Sequence, residues 1–375
     1  MVALARFKLS TRSTLTFLRV ERLEARDVAS AGLEDIASMP HLAGMSADYP
    51  TDAAPPSLLE GRGQRFAVAS AAGARTTVNV YDAKTNALIG IVTPFGKDSV
   101  SGARVAVADV TGDGTQDIVV SVGPGVAPVV KVFDGRTLHE VASFLAYDES
   151  FTGGVYVAAG NVLNDGHADI VTGAGANGGP HVKLFAGSDL FPGGDVKLTV
   201  LPSARVSYFA VESDFRGGVS VAVADINGDG YGDIVAGAGP GGGPRVVVVS
   251  GKDGSRLADF FAYDATLRSG VMVAAGSLDA GGLVRVVTVP MAGGGPDVKV
   301  FDGDKLTATY QPFGSGEAGN GVAVRDLNLD GRGEILVTSG PGSRPRVVVL
   351  DGGTGKLLRN FPGLTPDYVD GLFVA

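Results

Sequence analysis

From Phe66 onward, short apolar or alternating runs follow one another, each closed by Gly, Pro, Asp or Ser. In one unit they are Val105–Ala108, Ile118–Val122, Val129–Phe133 and Glu140–Tyr147. Runs of this length bounded by turn residues are strand signals. The unit repeats. Counted from the turn after each first run, the repeats fall at Asp109, Asn161, Asp225, Ser277 and Asp326, with spacings of 52, 64, 52 and 49. The long spacing contains an insertion around Gly187–Ala204, which includes Phe191-Pro-Gly-Gly-Asp195. Four short strands about every 50 residues predict a propeller blade. A β-solenoid of short repeats needs a period several times shorter and is rejected.

The two ends complete the count. Phe66–Ser70 aligns with the second strand of a blade, and Gly371–Ala375 aligns with a first strand, as in Gly218–Ala222. The C-terminal strand is therefore expected to complete the N-terminal blade. The predicted fold is all-β: a six-bladed β-propeller of four-stranded antiparallel blades, closed by that strand. Closing the ring this way removes the open ends that would otherwise leave unpaired backbone. The first blade lacks the turn motif because the sequence stops where that turn would begin.

Residues 1–63 differ from the rest and read as an export- or anchor-like segment and linker, leaving 64–375 for the propeller. Arg6, Lys8 and Arg12 make the start basic, but Ser13–Leu18 is too short and polar for a signal-peptide core. No stretch approaches a membrane span. A short amphipathic helix is expected at Leu15–Asp27. Leu33–Gly63, rich in Ala, Pro, Asp and Ser, reads as a linker.

Composition narrows the partners. Glycine is 57 of 375 residues, about twice the usual share, which suits many tight turns. The formal charge of −9 argues against nucleic acid, since no basic stripe offers phosphate neutralisation. There is no cysteine, so neither a disulfide nor a thiol nucleophile is available. Four histidines (His41, His139, His167 and His181) form no catalytic pattern, and an enzyme is not expected. His167 is expected to contribute only its backbone.

The turns carry the candidate chemistry. Asp225-Ile-Asn-Gly-Asp-Gly-Tyr-Gly-Asp233 places Asp225, Asn227, Asp229 and Asp233 at positions 1, 3, 5 and 9, with the carbonyl of Tyr231 at position 7. Oxygen donors in a flexible loop suit calcium. Gly230 at position 6 is expected at positive φ. The same spacing gives Asp109, Thr111, Asp113, Thr115 and Asp117, and again Asp326, Asn328, Asp330, Arg332 and Glu334. A weaker fourth loop holds Asn161, Asp165 and Asp169, with Leu163 in place of a donor. The fifth, Ser277–Arg285, has lost the pattern, and Arg285 would repel a cation. Three Ca2+ ions are expected, each structural and each pinning a hairpin on the outer part of a blade.

The repeat Phe-Thr-Gly-Gly-Val (151–155), the Asp-x-Asx-Gly-Asp-Gly-x-x-Asp loop and Gly-x-Gly-Pro (237–240) resemble FG-GAP repeats. Such repeats occur in integrin α-subunit propellers and, with the related VCBS type, in bacterial exported proteins. The run Val20–Ser30 resembles an Arg-Leu-Glu signature near the N-terminus of such exported proteins. The resemblance covers roughly residues 64–375 and implies structural calcium at the three intact loops. Six blades, and no inserted adhesion domain, keep the integrin ligand and subunit partner from being carried over.

The implied function is a calcium-stabilised extracellular or cell-surface binding or adhesion module. Its ligand would be a protein or glycan on the face of the Gly-Pro hairpins, decorated by Tyr147, Phe151, Phe215, Arg216, Tyr263, Arg268 and Arg344. Most of these aromatic residues recur in register and are expected to pack the blades. The alternatives are a polysaccharide-lyase-like enzyme and a structural surface component.

Overall fold

The computed structural model describes residues 64–192, 202–279, 281–291, 293–315, 317–365 and 368–375. The expected helix at Leu15–Asp27, the export-like run and residues 193–201 of the insertion lie outside these.

The described residues form six four-stranded antiparallel sheets. The innermost strands of blades 2 to 6 are Ala103–Ala108, Val155–Gly160, Val219–Ala224, Val271–Ser277 and Gly319–Arg325. Blade 1 takes its innermost strand, Leu372–Val374, from the other end of the sequence. It pairs Val68 with Val374, Ala69 with Phe373 and Ser70 with Leu372. Ala67 and Ala375 exchange backbone hydrogen bonds of 2.8 and 3.0 Å, and the Tyr368 hydroxyl donates to the Ala71 carbonyl at 2.9 Å. Each innermost strand touches that of the next blade, so the ring closes as expected.

Burial follows position within a blade. The second strands Arg65–Ser70, Asp117–Val122, Asp169–Ala174, Asp233–Ala238 and Glu334–Ser339 are buried throughout. A blade packs on either side of each, so both faces must be apolar and the sequence reads as a continuous apolar run rather than an alternation. The outermost strands, such as Arg256–Phe261 and Leu357–Phe361, expose most of their residues. The insertion contributes to the core. Leu190 and Phe191, at the end of the short helix Gly187–Leu190, are fully buried against Val155, Ile170 and Phe185.

Two kinds of backbone stitch hold neighbouring blades. On the Gly-Pro face, one residue in each of five hairpins has positive φ and turns its N–H to the next link. Gly73 donates to Val100, Gly125 to Thr152, Asn177 to Arg216, Gly241 to Arg268 and Gly342 to Val369, at 2.7–3.0 Å. On the opposite face, Ala168 donates to Asp109, Gly232 to Asn161 and Gly333 to Ser277, at 2.6–2.9 Å.

Candidate functional site

The acidic loops join the innermost strand to the second strand, so they ring the axis. This corrects the expectation that they sit on the outer part of each blade. Position 2 of each is apolar, and Val110, Val162, Leu278 and Leu327 are buried, which docks the loop whether or not its donors are intact. The position 1 carboxylate bonds to its own loop. Asp109 accepts from the N–H groups of Gly112, Asp113 and Gly114 at 2.8–3.0 Å. Asp225 does the same with Gly228, Asp229 and Gly230, also at 2.8–3.0 Å. Asp326 accepts from Asp330 and Gly331. Position 5 accepts from the N–H of position 7: Asp113 from Thr115, Asp229 from Tyr231 and Asp330 from Arg332.

Gly230 has φ +88°, as the bend at position 6 requires. Position 4 is left-handed as well, and there blade 6 carries Leu329 at φ +63°.

Position 9 works differently from the others. Asp117 is fully buried and accepts from the N–H groups of Val110 and Thr111 through Oδ2 and of Gly135 through Oδ1, each at 2.9 Å. Asp233 repeats this with Ile226, Asn227 and Gly251. So does Asp169, with Val162, Leu163 and Gly187, in the loop whose third donor is missing. Position 9 is therefore a backbone clamp in its own right. Burial pushes the Asp117 carboxyl up to about 6 against these hydrogen bonds, and it raises Asp169, Asp233 and Glu334 in the same direction.

The glycine beneath the clamp was not singled out from the sequence. A Cβ on Gly135, Gly187, Gly251 or Gly352 would lie 2.0–2.3 Å from a carbonyl oxygen of the loop, so only glycine fits. The only advance signal was a glycine just after the third strand in blades 2 to 6.

The donor chemistry fits a hard cation best in blade 2. There, Thr111 Oγ1 and Asp113 Oδ2 are buried without a hydrogen-bond partner. Asp113 Oδ2 does lie 3.2 Å from Arg136 Nη1, close enough for charge attraction but poorly aligned for a hydrogen bond. In blade 4, Lys252 Nζ stands 3.9 Å from Asp229. In blade 6, the Asn328 amide donates to Asp330 and Glu334 at 3.2 and 3.0 Å. Each loop thus draws a nearby N–H or basic group toward its carboxylates. Among the described residues, no three Asp, Glu or His side chains already converge on one point.

His167 uses its side chain, contrary to expectation. Its Nδ1 lies 3.1 Å from the Val110 carbonyl, and the ring covers Gly112 of the preceding blade.

On the Gly-Pro face most of the expected decorations pack the fold. The Tyr147 hydroxyl donates to the His181 carbonyl at 2.9 Å, and Tyr263 is held by the carbonyls of Thr288 and Asp297. Burial raises both hydroxyls well above the usual phenol range. Phe151 lies over Gly178, and Phe215 over Gly242, with ring atoms 2.6 and 2.8 Å from where a Cβ would stand. Arg216 and Arg268 cap carbonyls of their own links. Arg344 lines a shallow pocket with Arg346 and Phe361.

Blade 2 breaks this pattern. Aligned on Gly102 and Gly154, Ser99 stands where blade 3 has Phe151. Aligned on the hairpins, Val126 stands where blade 3 has Gly178. With Ser99 in place of that phenyl ring, a cleft of about 690 Å³ opens, walled by Pro94–Gly96, Asp98–Ser101 and Pro124–Ala127. Val100 and Val126 are 57% and 45% exposed on its walls, and Lys131 lies among its lining residues.

Comparison with known proteins places this architecture. Residues 217–255 match the family model described as FG-GAP repeat. They run from the innermost strand of blade 4 through its acidic loop to the end of its third strand. A chain of the nidogen/laminin complex is similar over 83% of this chain and 98% of its own, at 9% identity and a TM-score of 0.51. The β-propeller domain of Myceliophteria thermophila Cps50 (Swd1) is similar at 11% identity and a TM-score of 0.44, covering 81% and 88%. The exotype rhamnogalacturonan lyase YesX is similar at 12% identity and a TM-score of 0.40, covering 82% and 53%. At such identities the likeness is one of fold alone. Among the described residues no helix is long and apolar enough to cross a membrane. The chain thus carries an FG-GAP repeat, residues 217–255, in the fourth blade of a closed six-bladed β-propeller.

Proposed function

We propose that this propeller is a calcium-stabilised binding module that acts outside the cytoplasm and takes a protein or glycan ligand on its Gly-Pro face. The observation that carries the reading is the blade 2 cleft. Its volume of about 690 Å³ lies in the range of ligand pockets, and it opens where Ser99 and Val126 replace the phenyl and glycine that fill the same place in blade 3. Its lining carries only Asp98 and Lys131 as charged groups, and Lys131 is paired with Glu140 at 2.8 Å. Apolar walls with few charges suit recognition rather than bond-breaking.

Calcium enters as a stabiliser. An ion that binds only the folded loops adds stability by mass action. The donors would be Asp109, Thr111 and Asp113 in blade 2, Asp225, Asn227 and Asp229 in blade 4, and Asp326, Asn328 and Asp330 in blade 6. Asp117, Asp233 and Glu334 would close each loop, together with the carbonyls of Thr115, Tyr231 and Arg332.

The ligand reading is tested by screening the full chain against extracellular-matrix proteins and a polysaccharide panel, then measuring affinity by calorimetry for wild type and Val126→Arg. Val126 is well exposed, so the substitution should fold normally. A tenfold or greater loss of affinity is expected. Equal affinity would move the ligand off this cleft.

A further inference from the structure

The propeller axis carries positive charge that the described fold leaves unmatched. Innermost strands line a channel of about 120 Å³, walled mostly by Val and Ala. Its only charged lining residues are Arg104 and Arg325. Aligned along their strands they stand at opposite ends, Arg104 toward the Gly-Pro face and Arg325 toward the acidic loops. Neither takes part in an ion pair among the described residues. Arg325 reaches across to blade 2 and donates to the Val107 carbonyl at 2.7 Å. Burial pushes its guanidinium down to about 10.

Arg104 is the better placed of the two to receive a ligand. Its guanidinium lies 4.0 Å from the centre of the Tyr156 ring and 5.3 Å from that of Phe373, which fixes its plane. Nη1 makes only long contacts, 3.3 Å to the Val155 carbonyl and 3.5 Å to that of Val122. Nε is buried and bonds nothing. A charged donor left unsatisfied in an apolar wall is costly, and a fork of N–H groups matches a carboxylate edge. Arg325 instead adjoins Asp326 and the ring of acidic loops, which would repel an anion.

We propose that the Gly-Pro-face mouth of the axial channel binds one carboxylate group, held by Arg104 against Tyr156 and Phe373. A volume of about 120 Å³ equals roughly four waters at about 30 Å³ each, enough for a carboxylate head. The group could be a free carboxylate or the acidic end of a larger ligand, and the site does not depend on the blade 2 cleft.

The test uses the full chain in buffers of matched ionic strength, with acetate, galacturonate, oligogalacturonate or a Glu-terminated peptide set against chloride. Thermal melts and calorimetry are run on wild type, Arg104→Gln, Arg104→Lys and Arg325→Gln. At least one carboxylate should raise the melting temperature of wild type by about 2 °C or more over chloride. The rise should vanish in Arg104→Gln, weaken in Arg104→Lys and persist in Arg325→Gln. If Arg104→Gln fails to fold, Arg104→Lys supplies the same readout. A response to acetate assigns the site to free carboxylates, and a response confined to the oligomer or peptide assigns it to a larger acidic ligand. No carboxylate-specific response in wild type, or one that survives unchanged in the Arg104 variants, overturns the proposal.

Discussion

In blade 4 the turn from the innermost to the second strand carries three carboxylates, Asp225, Asp229 and Asp233; in blade 5 the same turn carries Asp279 and, at position 9, Arg285. The Arg285 side chain is only 14% exposed and faces Asp279 at 3.7 Å and Asp302 at 3.6 Å. Blade 5 thus supplies its own cation, and its loop needs none from solution. Asp233 of blade 4 instead spends its oxygens on the N–H groups of Ile226, Asn227 and Gly251, leaving the charge of the loop uncompensated apart from Lys252 at 3.9 Å. Both turns dock on the same kind of apolar residue at position 2, half-buried Ile226 and buried Leu278. The blade fold therefore does not itself require the acidic pattern. What the pattern adds is a demand for positive charge, met from within in one blade and left open in another.

The largest expected difference between the two blades lies beneath the loops. Gly251→Ala in blade 4 would set a Cβ 2.1 Å from the Gly232 carbonyl oxygen, whereas Gly303 in blade 5 has nothing within 4 Å of its Cβ position and only a φ of +61° to contend with. Denaturant unfolding should show a loss of about 3 kcal/mol or more for Gly251→Ala and about 1 kcal/mol for Gly303→Ala. Equal losses would mean that the clamp is not what holds blade 4 together.

Arg285→Gln should cost about 1 kcal/mol, because it leaves Asp279 and Asp302 facing each other without a cation. Blade 5 is not expected to hold calcium, so this loss should be the same with and without calcium. A loss that calcium repairs would show that blade 5 is itself a metal loop.

The smallest effect is a gain. Leu329 in blade 6 holds φ +63° where blade 4 has Gly228 at +75°, and Leu329 is 58% exposed. Leu329→Gly should relieve strain of about 1 kcal/mol and appear as a raised unfolding midpoint. A lower midpoint would mean that the leucine makes a contact worth more than the strain.

The ring was legible in the sequence because it rests on period. Spacings near 50 residues and the offset of Phe66–Ser70 against Gly371–Ala375 sufficed to count six blades and find the seam. The acidic loops were legible because their donors are close in sequence. The rest depends on residues that meet only after folding. Asp302 lies 17 residues beyond Arg285, and its role shows only when the third strand returns beside the loop. The clamping role of position 9 was not legible, because its partner Gly251 lies 18 residues away. Arg104, Tyr156 and Phe373 occupy one position of three innermost strands, and nothing in a linear pattern brings them to one axis. Leu190 and Phe191 sat in an insertion whose burial composition alone did not reveal.

Three loops are proposed to hold calcium, and the ions to stabilise the fold. The most direct measurement is calorimetric titration of the chelator-treated full chain with calcium, paired with thermal melts in calcium and in chelator. Saturation at three ions per chain is expected, falling to two in Asp229→Ala, with a melting temperature several degrees lower in chelator. An absence of binding heat together with coincident melts would contradict the account and reduce the loops to acidic turns.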